Sequence, residues 1–181
     1  MQFKASMGLA ALASVAIVAC ATEEPRPAAD RGGAADQAPG KRTRAAPAAG
    51  RVEIVPAPAE GDAAAVIAAE VSRAARDGRD LVVYVGATWC EPCERFHKAA
   101  EAGELDAVLP TLRVLEFDRD RDGDRLDRAG YGSRMVPLFA APLPDGRCGP
   151  VRMEGSVKGE GAVADIGPRL QALLVRGRRA P

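Results

Sequence analysis

Aromatic residues are scarce in this chain, 4% of 181, and alanine supplies much of the apolar fraction. A small, aliphatic core is expected rather than a large aromatic one. Neither sign of charge is in excess: 25 basic residues balance 25 acidic ones, for a formal net charge of zero. The footprint of a nucleic-acid binder is therefore missing, and no nucleic-acid partner is expected. Four cysteines are too few for a disulfide scaffold of this length. The apolar run from Met7 to Ala19 is too short for a comfortable membrane span. The length allows one ordinary domain with extensions.

What the chain does have is concentrated at Leu81-Val82-Val83-Tyr84-Val85-Gly86-Ala87-Thr88-Trp89-Cys90-Glu91-Pro92-Cys93. The β-branched and aromatic run Leu81 to Val85 suits a strand covered on both faces. Glu91 to Ala102 offers mostly good helix formers, and Pro92 falls in the first turn, where a missing N–H costs nothing. Cys90 is thus expected at a helix N-terminus, where unpaired N–H groups and the helix dipole stabilise a thiolate. Cys93, one turn on, shares its face and can close a small disulfide ring with it. Dithiol–disulfide exchange needs that pair: one thiol attacks, and the second resolves the mixed disulfide.

Trp89-Cys90-Glu91-Pro92-Cys93 after an apolar strand resembles the active site of the thioredoxin superfamily. The likeness spans about residues 60–175 and includes Tyr131-Gly132-Ser133-Arg134-Met135-Val136-Pro137, which resembles the segment leading to that family's cis-proline. It implies a three-layer α/β fold, a mixed central sheet flanked by helices, with Cys90 and Cys93 catalytic. It also implies supporting roles for Trp89, Glu91, Pro92, Val136 and Pro137, with Val136 backbone groups pairing to an extended substrate. Two departures stand out. Tyr84 occupies the place of a buried Asp that serves the resolving thiol, which leaves the proton acceptor for Cys93 unidentified. Glu94 replaces the basic residue that often follows the second cysteine.

The N-terminal third reads differently. Residues 1–19 have the pattern of a signal peptide, one positive charge and then the apolar run. Its end, Ile17-Val18-Ala19-Cys20, resembles a bacterial lipobox, which implies lipidation at Cys20. Cleavage after Ala21 or retention of the segment are the competing outcomes. Ala21 to Gly50 holds no Val, Ile, Leu, Met or aromatic residue, so residues 20–50 are expected to be a disordered linker. As a flexible coil it would reach roughly 30 Å. Residues 51–181 are the expected folded domain.

Within that domain, Val52 to Val55 reads as a short edge strand, and Asp62 caps a helix to Ala75 that Gly78 stops. Leu105 to Leu109 reads as a short helical continuation and Leu112 to Phe117 as a strand. Asp118-Arg119-Asp120-Arg121-Asp122-Gly123-Asp124 superficially matches the start of an EF-hand loop, but Ala129 stands where a bidentate carboxylate is required. The preferred reading there is a polar turn followed by a short helix, Arg125 to Ala129. Leu138 to Leu143 and Val151 to Gly155 flank a turn at Pro144-Asp145-Gly146-Arg147, and a last helix runs from Ala162 to Val175. His97 is read as a surface residue and Cys148 as a free thiol; the alternatives are a Cys₃His metal site formed by His97 with Cys90, Cys93 and Cys148, and Cys148 as a third redox partner near Cys90.

These features predict a thiol–disulfide oxidoreductase without cofactor, acting on protein disulfides in the bacterial cell envelope. It would be lipid-anchored to the bilayer, face the periplasm and draw on a membrane electron donor. Reduction is the favoured direction. The alternatives are an oxidising disulfide donor and a metal-delivery lipoprotein using Cys90, Cys93 and His97.

Overall fold

The computed structural model describes residues 50–179. The expected signal segment, the expected lipidation at Cys20 and the expected linker as far as residue 49 lie outside the described residues. Five strands and four helices follow in the order β1 (Glu53–Pro56), α1 (Ala63–Arg76), β2 (Asp80–Gly86), α2 (Glu91–Glu101), β3 (Leu112–Asp118), α3 (Arg119–Arg128), β4 (Leu138–Pro142), β5 (Cys148–Glu154) and α4 (Gly161–Gly177). The sheet order is β1-β3-β2-β4-β5. β1, β3 and β2 run parallel, while β4 and β5 run antiparallel to their neighbours. The fold is thioredoxin-like, with a mixed sheet between two helical layers.

Strand alternation assigns each layer. Val82, Tyr84, Leu112, Val114 and Phe139 face one side, where they pack with Phe96 and Ala99 of α2 and Ile166 and Leu170 of α4. Val83, Val85, Leu115, Phe117 and Leu138 face the other, against Ile67 of α1 and Leu126 of α3. β2 is central and buried on both faces, as its continuous apolar run requires. Among the described residues no helix is long and apolar enough to cross a membrane.

The core is less aliphatic than expected. Tyr84, Phe96 and Phe139 are fully buried and cluster with ring centroids 5.0–5.5 Å apart, next to the two cysteines in the same core. While Phe117 and Tyr131 are buried on the other face, these three aromatics support the dithiol. Gly86 makes room for one of them, since a Cβ there would lie 2.4 Å from the Tyr84 hydroxyl oxygen.

Two elements differ from expectation. Leu105 to Leu109 forms turns rather than a helix, entered through Gly103 in a left-handed conformation (φ 78°). The acidic run is no turn: α3 begins at Arg119, six residues before the expected start. Asp118 caps it, accepting hydrogen bonds from the N–H groups of Asp120 and Arg121 at 2.9 and 2.8 Å. Asp122, its side chain fully buried, binds Arg125 and Arg121. Alternating charges that read as a solvated turn are instead a cap and a buried ion pair, and a helix there leaves no EF-hand loop.

Candidate functional site

Cys90 is the N-cap of α2, and its Sγ accepts a hydrogen bond from the Cys93 N–H at 3.3 Å. Cys90 and Cys93 are joined in a disulfide, with their Cα atoms 5.2 Å apart. Both are buried, at 5% and 3% exposure, so Cys90 is less accessible than its position at a helix start suggested. The two cysteines open in different directions. Cys90 lies in a groove with Trp89, Pro92, Met135, Val136 and Lys158. Cys93 lines a cavity of about 480 Å³ with Tyr84, His97 and Glu116.

The groove has an apolar rim, since Trp89 and Met135 are 66% and 56% exposed. Trp89 donates its indole N–H to an Asp120 carboxylate oxygen at 2.9 Å. Val136 packs partly buried against the same core as the cysteines, and the Val136-Pro137 bond is cis. The Pro137 carbonyl accepts from the Gly155 N–H at 2.8 Å, tying this segment to the end of β5. Glu91 pairs with Arg95 and accepts the Gly159 N–H at 3.1 Å. Arg95 first, then Gly159, lowers the Glu91 carboxyl pKa; Lys98 does the same for Glu94. Both carboxylates therefore stay charged but paired. The structure thus brings Trp89, Cys90, Pro92 and Val136 to one groove, with Glu91 bracing its wall.

Sequence reading missed three participants. His97 is half-buried rather than on the surface, with Nε2 2.8 Å from Glu116 Oε1. The hydrogen bond His97 donates to Glu116, and then the Glu116 charge, raise the His97 pKa above the usual 6.5, although partial burial opposes this. The signals were present: His97 lies four residues after Cys93 on one helix, and alternation in β3 puts Glu116 on the Val114 side, facing the dithiol. Lys158 lies far off in sequence and left no local signal.

Cys148 starts β5 and is a free, partly buried thiol. It packs on the α1/α3 side of the sheet, away from Cys90 and Cys93. Burial raises its pKa above the usual thiol value, with Arg152 partly offsetting this. Among the described residues no group of three or more His, Cys, Asp or Glu side chains is placed to hold one metal ion.

No protein-family model matches the chain. No curated protein matches it. Among solved structures the chain is similar to a wild-type thioredoxin h from poplar, at 23% sequence identity and a TM-score of 0.45, over 73% of this chain and 100% of that one. The chain has the thioredoxin-superfamily fold, a statement that stands on its own sheet order and on the dithiol that opens α2.

Proposed function

We propose that the protein is a thiol–disulfide oxidoreductase that reduces disulfides of envelope proteins. One observation carries the reading: a disulfide-bonded pair whose first sulfur caps α2 and lies in a groove with an apolar rim. A helix N-terminus lowers the cost of a thiolate at that sulfur. In the reduced protein, Cys90 attacks a substrate disulfide as thiolate. One substrate sulfur leaves as thiolate, and a mixed disulfide joins the other to Cys90. The Cys93 thiolate then attacks the Cys90 sulfur and closes the enzyme disulfide, releasing the second substrate thiolate. Two electrons pass from enzyme to substrate, and a membrane electron donor has to restore them. The groove suits an extended polypeptide, with the Trp89 and Met135 side chains as apolar contacts.

The location in the reading comes from the N-terminal sequence: a signal segment, lipidation at Cys20, and a linker that holds the domain clear of a bilayer surface on the periplasmic side.

Trapping tests the chemistry. A Cys93→Ser variant, reduced and mixed with a disulfide-bonded protein, should accumulate a mixed disulfide at Cys90 that the unaltered protein does not. A Cys90→Ser variant should trap far less. Equal trapping by both variants, or by neither, would remove the proposed division between attacking and resolving thiols.

A further inference from the structure

The resolving step needs Cys93 to lose a proton, and Cys93 is 3% exposed. Burial in apolar surroundings holds a thiol protonated, so a nearby acceptor is required. The residue at the base of the dithiol on β2 is Tyr84, and it does not serve. Its burial, and then the Glu116 charge, push its pKa above the ordinary phenol value, so it holds its own proton.

The cavity beside Cys93 supplies an alternative. Cys93 and His97 are one helical turn apart on α2 and line the same space, with Glu116 opposite on β3. Tyr84 lines this cavity too, and its hydroxyl, fully buried, has no hydrogen-bond partner among the described residues. A space of about 480 Å³ lined by His97, Glu116, Asp118 and Arg121 has room and polar partners for bridging water. The Tyr84 and His97 ring centroids are 5.6 Å apart, so the phenol ring neighbours the imidazole beside this cavity.

We infer that His97, held by Glu116, is the proton acceptor for Cys93, the proton crossing the cavity that both side chains line. The inference rests on the dithiol reading above. With Nε2–H donated to Glu116, the imidazole keeps Nδ1 as its acceptor. The Cys93 S–H proton passes to Nδ1, the thiolate attacks the Cys90 sulfur of the mixed disulfide, and the substrate thiolate leaves. The imidazolium is stabilised by Glu116 and returns its proton to water. Run backwards, the same residue protonates Cys93 when the enzyme disulfide is opened.

Other groups face the imidazole. Glu94 and Glu101 are on its own helix, Asp118 on β3 and Arg121 on α3 line the same cavity as His97, and Arg51 lines a neighbouring one that His97 and Glu116 also border. None displaces His97 from the role. Glu94 is paired with Lys98 and largely exposed, Glu101 ends α2 about two turns beyond Cys93, Asp118 caps α3, and the arginines are always charged.

His97 is the chain's single histidine, so its titration is readable. A chromogenic aromatic disulfide mixed with reduced full-length protein should give two absorbance phases. The first depends on reagent concentration and reports attack by Cys90; the second does not and reports resolution by Cys93. The second-phase rate should rise with pH through one inflection above 6.5 and then level. His97→Gln should remove the inflection and slow the second phase relative to the first by about 10²-fold, the low end for a general base. Glu116→Gln should keep the inflection and move it to lower pH. A packing defect would slow both phases together and leave their ratio unchanged. An unchanged second-phase profile in His97→Gln overturns the inference while leaving the dithiol reading intact. Absence of a second phase in the unaltered protein overturns both.

Discussion

The Trp89 indole N–H is 2.9 Å from an Asp120 carboxylate oxygen, which ties the residue before Cys90 to the first turn of α3. Trp89 is 66% exposed, so this bond, rather than burial, fixes the ring at the groove's edge. Asp120→Ala should loosen the rim without touching either sulfur. A hydrogen bond of this kind is worth about 0.5–1.5 kcal/mol, so kcat/KM toward a protein disulfide should fall by about two- to tenfold. Trp89 is also the chain's single tryptophan, so its emission should change when Cys90–Cys93 is reduced. Unchanged kcat/KM in Asp120→Ala would show that the ring position does not matter to the substrate.

A second prediction concerns stability. Asp122 has no exposed side chain and accepts hydrogen bonds from Arg125 and Arg121 and from the Asp118 N–H at 2.9 Å. Arg125 reaches on to the carbonyls of Pro58, Glu60 and Gly61, so the pair fastens the β1–α1 loop to α3. Asp122→Ala leaves a buried guanidinium without its carboxylate and should cost about 3 kcal/mol, read as a drop in denaturation midpoint. Burial would push the Asp122 pKa up, but Arg121, the Asp118 N–H and Arg125 together hold it below the ordinary aspartate value. A depressed folded-state value stabilises above about pH 4 and loses that stabilisation as pH falls through the folded value. The midpoint of the unaltered protein should therefore decline on acidification below about pH 4, and that of Asp122→Ala should decline less.

Much of this architecture was legible because it rests on local patterns. The continuous apolar run Leu81 to Val85, β-branched and aromatic, suits a strand covered on both faces, and Asp62 and Gly78 mark the ends of α1 as their chemistry demands. The acidic stretch failed for a physical reason. Asp118, Asp120 and Asp122 look alike in sequence, yet one caps a helix, one holds an indole and one is buried against arginine. Only tertiary contacts separate those fates. The site divides the same way. Cys90 and Cys93 announce themselves by spacing on one helix, whereas Glu116 and Lys158 reach the dithiol across strand and loop.

The N-terminal segment carries its own prediction. Lipidation at Cys20 should send the protein into the detergent phase on partitioning, and Cys20→Ala should return it to the aqueous phase. A mature protein beginning at Thr22 would replace the anchor with ordinary signal-peptide cleavage.

Direction of electron flow is decided at Cys90. A dithiol oxidises others strongly when its reduced form is stabilised, chiefly by a comfortable thiolate at the attacking sulfur. The α2 N-terminus favours that thiolate, and Lys158 in the groove favours it further. Against this, Glu91 and Glu94 put two carboxylates in the first turn of the same helix. Each is paired, Glu91 with Arg95 and Glu94 with Lys98, which weakens the field they exert. In both pairs the carboxylate is the member nearer to Cys90 along the helix, so the residual field still disfavours a second anion. No Lys or Arg stands between the cysteines to offset it. The Cys90 thiolate should then be less stable than in a strongly oxidising dithiol, and the disulfide correspondingly more so. The reduction potential is expected nearer about −270 mV than about −120 mV. Equilibration with glutathione measures it. A value above about −180 mV would make Lys158 the dominant neighbour and the protein a disulfide donor. In that case Lys158→Ala should lower the potential, whereas under the reductase reading Glu91→Gln and Glu94→Gln should each raise it.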